Sequence, residues 1–497
     1  MVLGIDLGTT YSAAAYIDDD GNPQIIVNSE GERITPSVFY QESKDNIIIG
    51  EVAKENAVLH PKDVVAVVKN DMGKATKYEM STGDSYVPEQ ISGFIIKKMV
   101  QDAESYAGCK FDNVVITVPA YFNNAQRVAT EDAAKIAGVN MIGSINEPTA
   151  ALLCYIRKKK LEHGNVMVYD LGGGTFDVSI VRVDGDNIEV LSNDGIAKAG
   201  GHFFDVFIVD YVCEYLREHH NLDLEAPEYI EELQDIYNRA EKCKIQLSAK
   251  ESVNIPIKIG DVKDSIEITR EFFEGKLKRF YRSTEVRMNK ALQNAGITVD
   301  DLETVLLVGG SSRIPYIEEN VRAFTGKAPA KDINPDEAVA IGAAIFGSYK
   351  TEDNTKKAFT DANSHGIGFL YFAGRSERKN QILIQKNSLL PVKATQKVKT
   401  IAKGQEKITL TVTEGELEDP KMVKELCELD IKLPQAVSEG TEVNITFELD
   451  EYQILHVFVD IPSVEGWKYQ YEVPRENKLT AEDIAMMTGI TLEYKVS

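Results

Sequence analysis

Apolar and polar positions follow two regimes along this chain. Up to about residue 350, β-branched runs such as Val114–Val118 and Val305–Val308 alternate with stretches of helical period. Continuous apolar runs of this length describe strands buried on both faces of a mixed or parallel sheet. Asn123 or Asn124 is expected to cap a helix of small residues that ends at Gly138. Pro148 opens another helix with Glu147 at its mouth, and residues 228 to 249 form a third. Asn334, Pro335 and Glu337 read as N-cap, N1 and N3 of a further helix, whose Gly342-Ala-Ala344 permits close packing. Beyond residue 350 the period becomes two. Ile408, Leu410 and Val412 alternate with threonines; Val443, Ile445, Phe447 and Leu449 alternate with polar residues; so do Trp467, Tyr469, Tyr471 and Val473. Half-buried antiparallel strands, and hence an all-β sandwich, are predicted. The expected division is an α/β domain over 1–350, a polar linker over 351–364, the β-sandwich over 365–475, and a short helix and tail over 476–497, capped by Thr480 with Asp483.

A chain of 497 residues exceeds what one core organises, which agrees with this division. With 43% hydrophobic and 27% charged residues it reads as an ordinary globular protein. Lys plus Arg number 55 against 78 Asp plus Glu, and the resulting charge of −23 argues against a general binder of nucleic acid or of an anionic membrane. Cys109, Cys154, Cys213, Cys243 and Cys427 contain no C-x-x-C pair and read as reduced thiols of a cytosolic protein. The chain enters a strand at once, and no apolar run approaches membrane-spanning length, so a cytoplasmic location is expected.

The chemistry concentrates in one repeated pattern. Val168-Tyr-Asp170-Leu-Gly172-Gly173-Gly174-Thr175-Phe-Asp177-Val178 is a strand, a glycine turn and a returning strand. Glycines leave consecutive backbone N–H groups open to phosphate oxygens, Thr175 adds a hydroxyl, and Asp170 and Asp177 suit a counter-cation. Asp6-Leu-Gly8-Thr9-Thr10-Tyr11 repeats the device near the start, which suggests a duplicated nucleotide-binding domain whose halves clamp a polyphosphate. Val308-Gly309-Gly310-Ser311-Ser312-Arg313 is a buried strand running into paired glycines, against which a flat base can lie. Gly200-Gly201 is another glycine turn before a helix. Glu241, Lys244 and Ser248 share one helix face, which by itself describes a solvated face. On spacing alone Lys69 is an ordinary helix-end lysine.

Together with Asn146-Glu-Pro-Thr-Ala-Ala151, these motifs resemble the 70-kDa heat-shock (DnaK-like) chaperone family, within the superfamily of actin, sugar kinases and heat-shock ATPases. Gly366-Ile-Gly-Phe369, Lys386-Asn-Ser-Leu-Leu-Pro391, Thr413-Glu-Gly-Glu416 and Thr446-Phe-Glu-Leu-Asp450 continue the resemblance through the β region. It implies an actin-like, two-lobed, slow ATPase with ATP or ADP in the cleft. Gly8, Thr9, Thr10 and Tyr11 would hold the phosphates from one side, and Gly172, Gly173, Gly174 and Thr175 from the other. Asp6, Asp170 and Glu147 would orient the water shell of Mg²⁺, with K⁺ near Asp6 and Asp177 as a further expectation. Lys69 would neutralise the γ-phosphate, and Asp170 or Thr175 would position water. Gly200, Gly201, Glu241, Lys244, Ser248, Gly309, Gly310, Ser311, Arg313 and Asp336 would complete the nucleotide site. Pro119 and Arg127 would relay nucleotide state to a sandwich that binds extended peptide segments, in reciprocal coupling.

The pattern also has departures. The linker is polar where the family carries leucines, and Gly143 replaces an arginine that meets J-domain co-chaperones. Asn124 stands for an aspartate, Ile245 for an adenine-stacking arginine, His202 for a glutamate and Gln453 for a turn glycine. The helical lid is missing apart from the segment beginning at Thr480. Peptide trapping is therefore expected to be weak or fast, and dependence on J-domain and nucleotide-exchange partners stays open. The alternative is a nucleotide-dependent scaffold for one folded partner, with Gly374–Asn380 as its docking loop.

Overall fold

The structure is a computed structural model describing residues 1–351, 358–373, 377–473 and 479–497. Part of the expected linker, 352–357, and of the expected docking loop, 374–376, lies outside the described residues. Val2–Asp6 and Tyr11–Ile17 form the first hairpin, and Asn113–Val118 lies parallel to its first strand. His163–Leu171 and Thr175–Asp184 form the second, with Leu302–Val308 parallel to its first strand. The duplication read from the glycine motifs is thus a duplication of topology. Both first strands are buried on both faces, as their unbroken apolar runs require.

The helix Ala338–Thr351 lies against strand Val2–Asp6 and helix Glu147–Lys159. A Cβ on Gly4 would come within 2.2 Å of the Ala344 nitrogen, and one on Gly342 within 1.7 Å of the Ala150 oxygen. The small residues of this segment are therefore a steric requirement of the helix crossing. Regular helix begins at Ala338; Pro335–Glu337 form a preceding turn, in which Asn334 Oδ1 accepts from the Asp336 N–H at 3.3 Å. Of the two candidate caps for the helix Asn124–Ile136, Asn123 takes the role, reciprocally with Gln126.

The stretch read as a plain polar linker has structure after residue 357. Ala358–Thr360 adds a strand parallel to Asn187–Glu189 at the edge of the second sheet, and Asp361–Ser364 are buried. An unpaired sheet edge recruits backbone whatever the side chains, so no apolar period announces the strand. The polar side chains find partners instead. Asn146 Nδ2 donates to Asp361 Oδ2 at 2.6 Å, Asn363 Oδ1 accepts from the Ser388 N–H at 2.7 Å, and Ser364 Oγ donates to the Ala120 carbonyl.

Two four-stranded sheets follow, built from Ile367–Phe372, Arg378–Ile384, Gln405–Glu414 and Lys424–Val437, and from Val392–Lys399, Glu442–Leu449, Leu455–Asp460 and Lys468–Glu472. Phe369 and Phe447 meet edge to face at 6.1 Å in the core between them. Two details depart from simple alternation. Thr411 and Thr413 are buried beside the apolar set, their hydroxyls bonded to Arg378 and Asn380 of the next strand but one, across Ile367–Phe372. Tyr469 is exposed, on a strand at the sheet's edge.

The final segment returns to the first half. Helix Ala481–Glu493 packs on Asn124–Ile136 and Pro88–Ala107, and Lys495–Val496 pairs parallel with Asn46–Ile47. Lys97 Nζ donates to the carbonyls of Thr491, Leu492 and Tyr494 at 2.9, 3.2 and 2.8 Å. A cation there meets the otherwise unpaired carbonyls of a helix end.

Because the Ala150 carbonyl occupies the place of a Gly342 side chain, Gly342→Val should destabilise the protein by at least about 1–3 kcal/mol. Urea unfolding followed by circular dichroism should show the midpoint falling, whereas the exposed Gly275→Ala, with open space at its Cβ, should not lower it.

Candidate functional site

A cleft of about 390 Å³ lies between the two halves. Gly8, Thr9, Thr10 and Tyr11 line it from the first hairpin, and Gly172, Gly173 and Thr175 from the second. The hairpins meet tip to tip. A Cβ on Gly173 would fall 2.4 Å from Thr10 Oγ1, and one on Gly174 would fall 2.6 Å from Thr9 Oγ1. Gly174 is therefore spent on the contact between hairpins and does not line the cleft. Gly200, at φ +118°, sits equally close behind, 2.3 Å from its would-be Cβ to the Gly172 oxygen, while Gly201 reaches the wall.

Acidic groups gather at one end. Asp6 closes the first strand, Asp170 lies at the matching point of the second half, and Glu147 begins its helix. Lys69 comes from a one-turn helix, Val68–Asp71, entered through Val67 at φ +52°. It is buried and pairs with Glu147 Oε1 at 2.5 Å. Tertiary placement, which spacing does not reveal, thus turns a helix-end lysine into a buried one. Asp177 lies behind the wall, where Oδ1 accepts from the Tyr121 N–H at 2.8 Å and Oδ2 is buried.

Burial, reinforced by Glu147, pushes Asp6 up to about 7 despite Lys69 nearby. Burial and Glu147 likewise push Asp177 up to about 7. Asp170 stands well above the carboxylate range through burial and its three acidic neighbours, Glu147, Asp177 and Asp6. One lysine does not balance four carboxylates. Hard oxygen donors with an excess of negative charge fit a hard cation such as Mg²⁺ carried with phosphates.

At the other end Glu241, Lys244 and Ser248 line the cleft from Ile230–Leu247 and its C-cap. Gly309, Gly310, Ser311 and Arg313 face them, and Arg313 donates to Asn334 Oδ1 at 2.7 Å and Asp336 Oδ2 at 2.6 Å. Ile34, Ile245, Ile314 and Val339 supply an apolar lining suited to a base. Ile245 follows Glu241 by one helical turn, a signal that places it on the same face. Ile34 and Val339 carry no such mark in the sequence. His202 is present too, held below its usual value by burial and then by Lys244, so it is neutral near pH 7.

Lys54 went unsignalled. From the helix Glu51–Asn56 it donates to the Tyr11 hydroxyl at 2.8 Å and pairs with Glu241, to which Tyr11 also donates at 3.2 Å. This triad ties the two halves across the cleft.

A family model described as Hsp70 protein matches residues 2–82 and 74–496. A chaperone protein DnaK of Thermotoga neapolitana is 36% identical over 511 aligned residues, which cover 99% of this chain and 84% of that protein.

The raised carboxyls give a pH signature. Folded Asp6 and Asp177 titrate about 7, against about 3.9 for an unfolded aspartate, so the stability they contribute is present at acid pH and is lost as pH rises through 7. A cation favours their ionised forms. Magnesium–nucleotide binding should therefore expel protons at about pH 6 and tighten as pH rises towards about 7.5. Calorimetric titration in two buffers of unlike ionisation enthalpy should show the release at the lower pH and little above about pH 8.

Proposed function

The chain belongs to the Hsp70 family, and from that premise we propose how its residues carry the ATPase cycle of an ATP-dependent chaperone. The carrying observation is the meeting of two glycine hairpins beside the Lys69–Glu147 pair and the Asp6 and Asp170 carboxylates. Thr9, Thr10 and Tyr11 bind phosphate oxygens from one half; Gly172, Gly173 and Thr175 bind them from the other. Mg²⁺, when bound, supplies neutralisation of the phosphate charge. Asp6, Asp170 and Glu147 orient its water shell, and Asp177 stands behind them as a buried carboxylate near which K⁺ can be held. Asp170 or Thr175 holds the attacking water in line, and Lys69 offsets charge on the γ-phosphoryl oxygens as the bond to the leaving diphosphate breaks. Glu241, Lys244, Ser248, Gly309, Gly310, Ser311, Arg313 and Asp336 seat the adenosine. The reading places the protein in the cytoplasm, acting on extended peptide segments with co-chaperones that the sequence does not specify.

The boundaries proposed for the ATPase domain, linker and sandwich make the buried polar chain at their junction the coupling element. Arg127 donates to the Ala120 and Phe122 carbonyls and to Asn146 Oδ1, and Asn146 passes the contact to Asp361. Burial pushes Asp361 up to about 6 and lowers Arg127 to about 10. Residues 358–364 thereby join the ATPase core to the sandwich by backbone pairing and hydrogen bonds, without leucines. The scaffold alternative is not favoured by a 36% identity to a chaperone along nearly the whole chain.

Lys69→Ala should lower single-turnover ATP hydrolysis by about 10²–10³-fold, the loss typical of one preorganised charge-stabilising group. Nucleotide affinity, measured by displacement of a fluorescent ADP, should change far less. Equal hydrolysis rates for variant and parent would remove Lys69 from the mechanism. In the same preparation, ATP should accelerate release of a fluorescent apolar peptide from the parent protein.

A further inference from the structure

A second cavity, of about 280 Å³, adjoins the cleft at its phosphate end. Thr9, Thr10, His202 and Glu241 line both, whereas Ser248, Gly310 and Arg313, at the adenosine end, line the first alone. The remaining walls come from the two lobes. The chain leading into the Lys69 turn supplies Pro61, Val64 and Ala66 on one side, and the helix Ile230–Leu247 supplies Gln234 and Asn238 on the other. Gln234 Nε2 donates to Asn238 Oδ1 at 3.3 Å, so the helix wall is amide, while the wall opposite is apolar. Ala66 is exposed, and the cavity therefore reaches the surface. The charged groups at the boundary are already matched. Glu241 pairs with Lys54, and Asp205 pairs with Lys244 at 2.8 Å. A small anion crossing from one cavity to the other thus meets hydroxyl, amide and ammonium donors, with each lining carboxylate offset by a lysine. His202 is held by its backbone, whose N–H donates to the Gly173 carbonyl at 2.9 Å, so its ring moves by side-chain rotation alone.

Position decides which anion this is. On the ATPase reading above, on which the inference rests, ADP fills the first cleft after hydrolysis, and the cleaved phosphate lies against Thr9 and Thr10. The nucleotide then stands between that phosphate and the adenosine end. The second cavity is the way out that the nucleotide does not occupy. We propose that it is the exit path of inorganic phosphate, entered between Thr10 and His202 and left beside Ala66, so that phosphate departs while ADP stays bound. The amide wall and the threonine hydroxyls replace part of the water shell of the ion, which makes the passage permissive. The apolar wall opposite supplies no second set of donors, which keeps it from becoming a trap. A neutral imidazole at the entrance suits this traffic, since a carboxylate in its place would repel a phosphate dianion at close range.

The test separates cleavage from departure. The full chain is followed through a single turnover of ATP, with acid quench reading cleavage and a fluorescent phosphate-binding reporter reading free phosphate. Displacement of fluorescent ADP reads nucleotide release. Ala66→Trp and Asn238→Trp place a large ring in the passage from opposite walls, at residues with no part in binding or cleavage. Each should leave cleavage within about twofold of the parent and slow the appearance of free phosphate by about tenfold or more, without slowing ADP release. Unchanged cleavage also serves as the check on folding. Asn238→Ala, which widens the passage, should release phosphate at least as fast as the parent, a result that loss of a merely structural contact would not give. The proposal is overturned if free phosphate keeps pace with cleavage in both tryptophan variants, or if ADP release slows as much as phosphate release, since phosphate then leaves by the mouth of the cleft. Absence of cleavage in the parent overturns the ATPase reading, and the exit path with it; cleavage with unhindered phosphate release overturns the exit path alone.

Discussion

The tip-to-tip contact of the two glycine hairpins is the constraint on which the rest of the structure depends. With Gly173 against the Thr10 side chain and Gly174 against that of Thr9, the tips approach until no further side chain fits between them. The strands leading into these tips carry Asp6 as the last and Asp170 as the penultimate residue, so close approach also brings Asp6 and Asp170 together with Glu147. Burial and mutual repulsion then lift the proton affinities of Asp6 and Asp170, against the opposing charge of Lys69. A site with this imbalance is complementary to a cation carried on phosphates. Its chemistry follows from geometry: rigid elements hold charges that would spread apart if the backbone allowed it.

Legibility followed the physical origin of each feature. The glycine turns could be read because close approach leaves a mark that only glycine satisfies, and the sandwich because its core strands largely follow a period of two. Glu241, Lys244 and Ser248 were legible from their spacing as one face, and as part of the nucleotide site only through the family resemblance. Lys54 was not legible at all, since its partners Tyr11 and Glu241 belong to distant segments and no local period connects them. Gly174, Gly200 and Asp177 show a subtler limit. The motif identifies residues the site needs, but it does not separate those that face the cleft from those that support its wall. Asp361–Ser364 escaped notice because their burial is satisfied by hydrogen bonds, and the usual sign of burial is apolar.

Polarity at the domain junction has a consequence of its own. Apolar segments bind wherever enough area is covered, whereas Asn146, Asp361, Asn363 and Ser364 are satisfied only in one register. Misplacing such a segment leaves buried donors and acceptors unpaired, at a cost of about 1–3 kcal/mol for each. A polar linker is thus less adhesive than a leucine-rich one and more exacting. Asp194 extends the same logic on the far side of the junction, where its buried carboxylate meets Arg287 at 3.2 Å, Lys386 at 3.4 Å and Lys290 at 3.7 Å. Lys386 comes from the sandwich, while the arginine and the other lysine come from the second half. If the domains part, Asp194 keeps two of its three cations, so separation does not leave a buried charge wholly uncompensated. An interface built in this way rests on matched charges and hydrogen bonds rather than on apolar area. It gives up the tolerance of an apolar contact for a docked state with a single geometry.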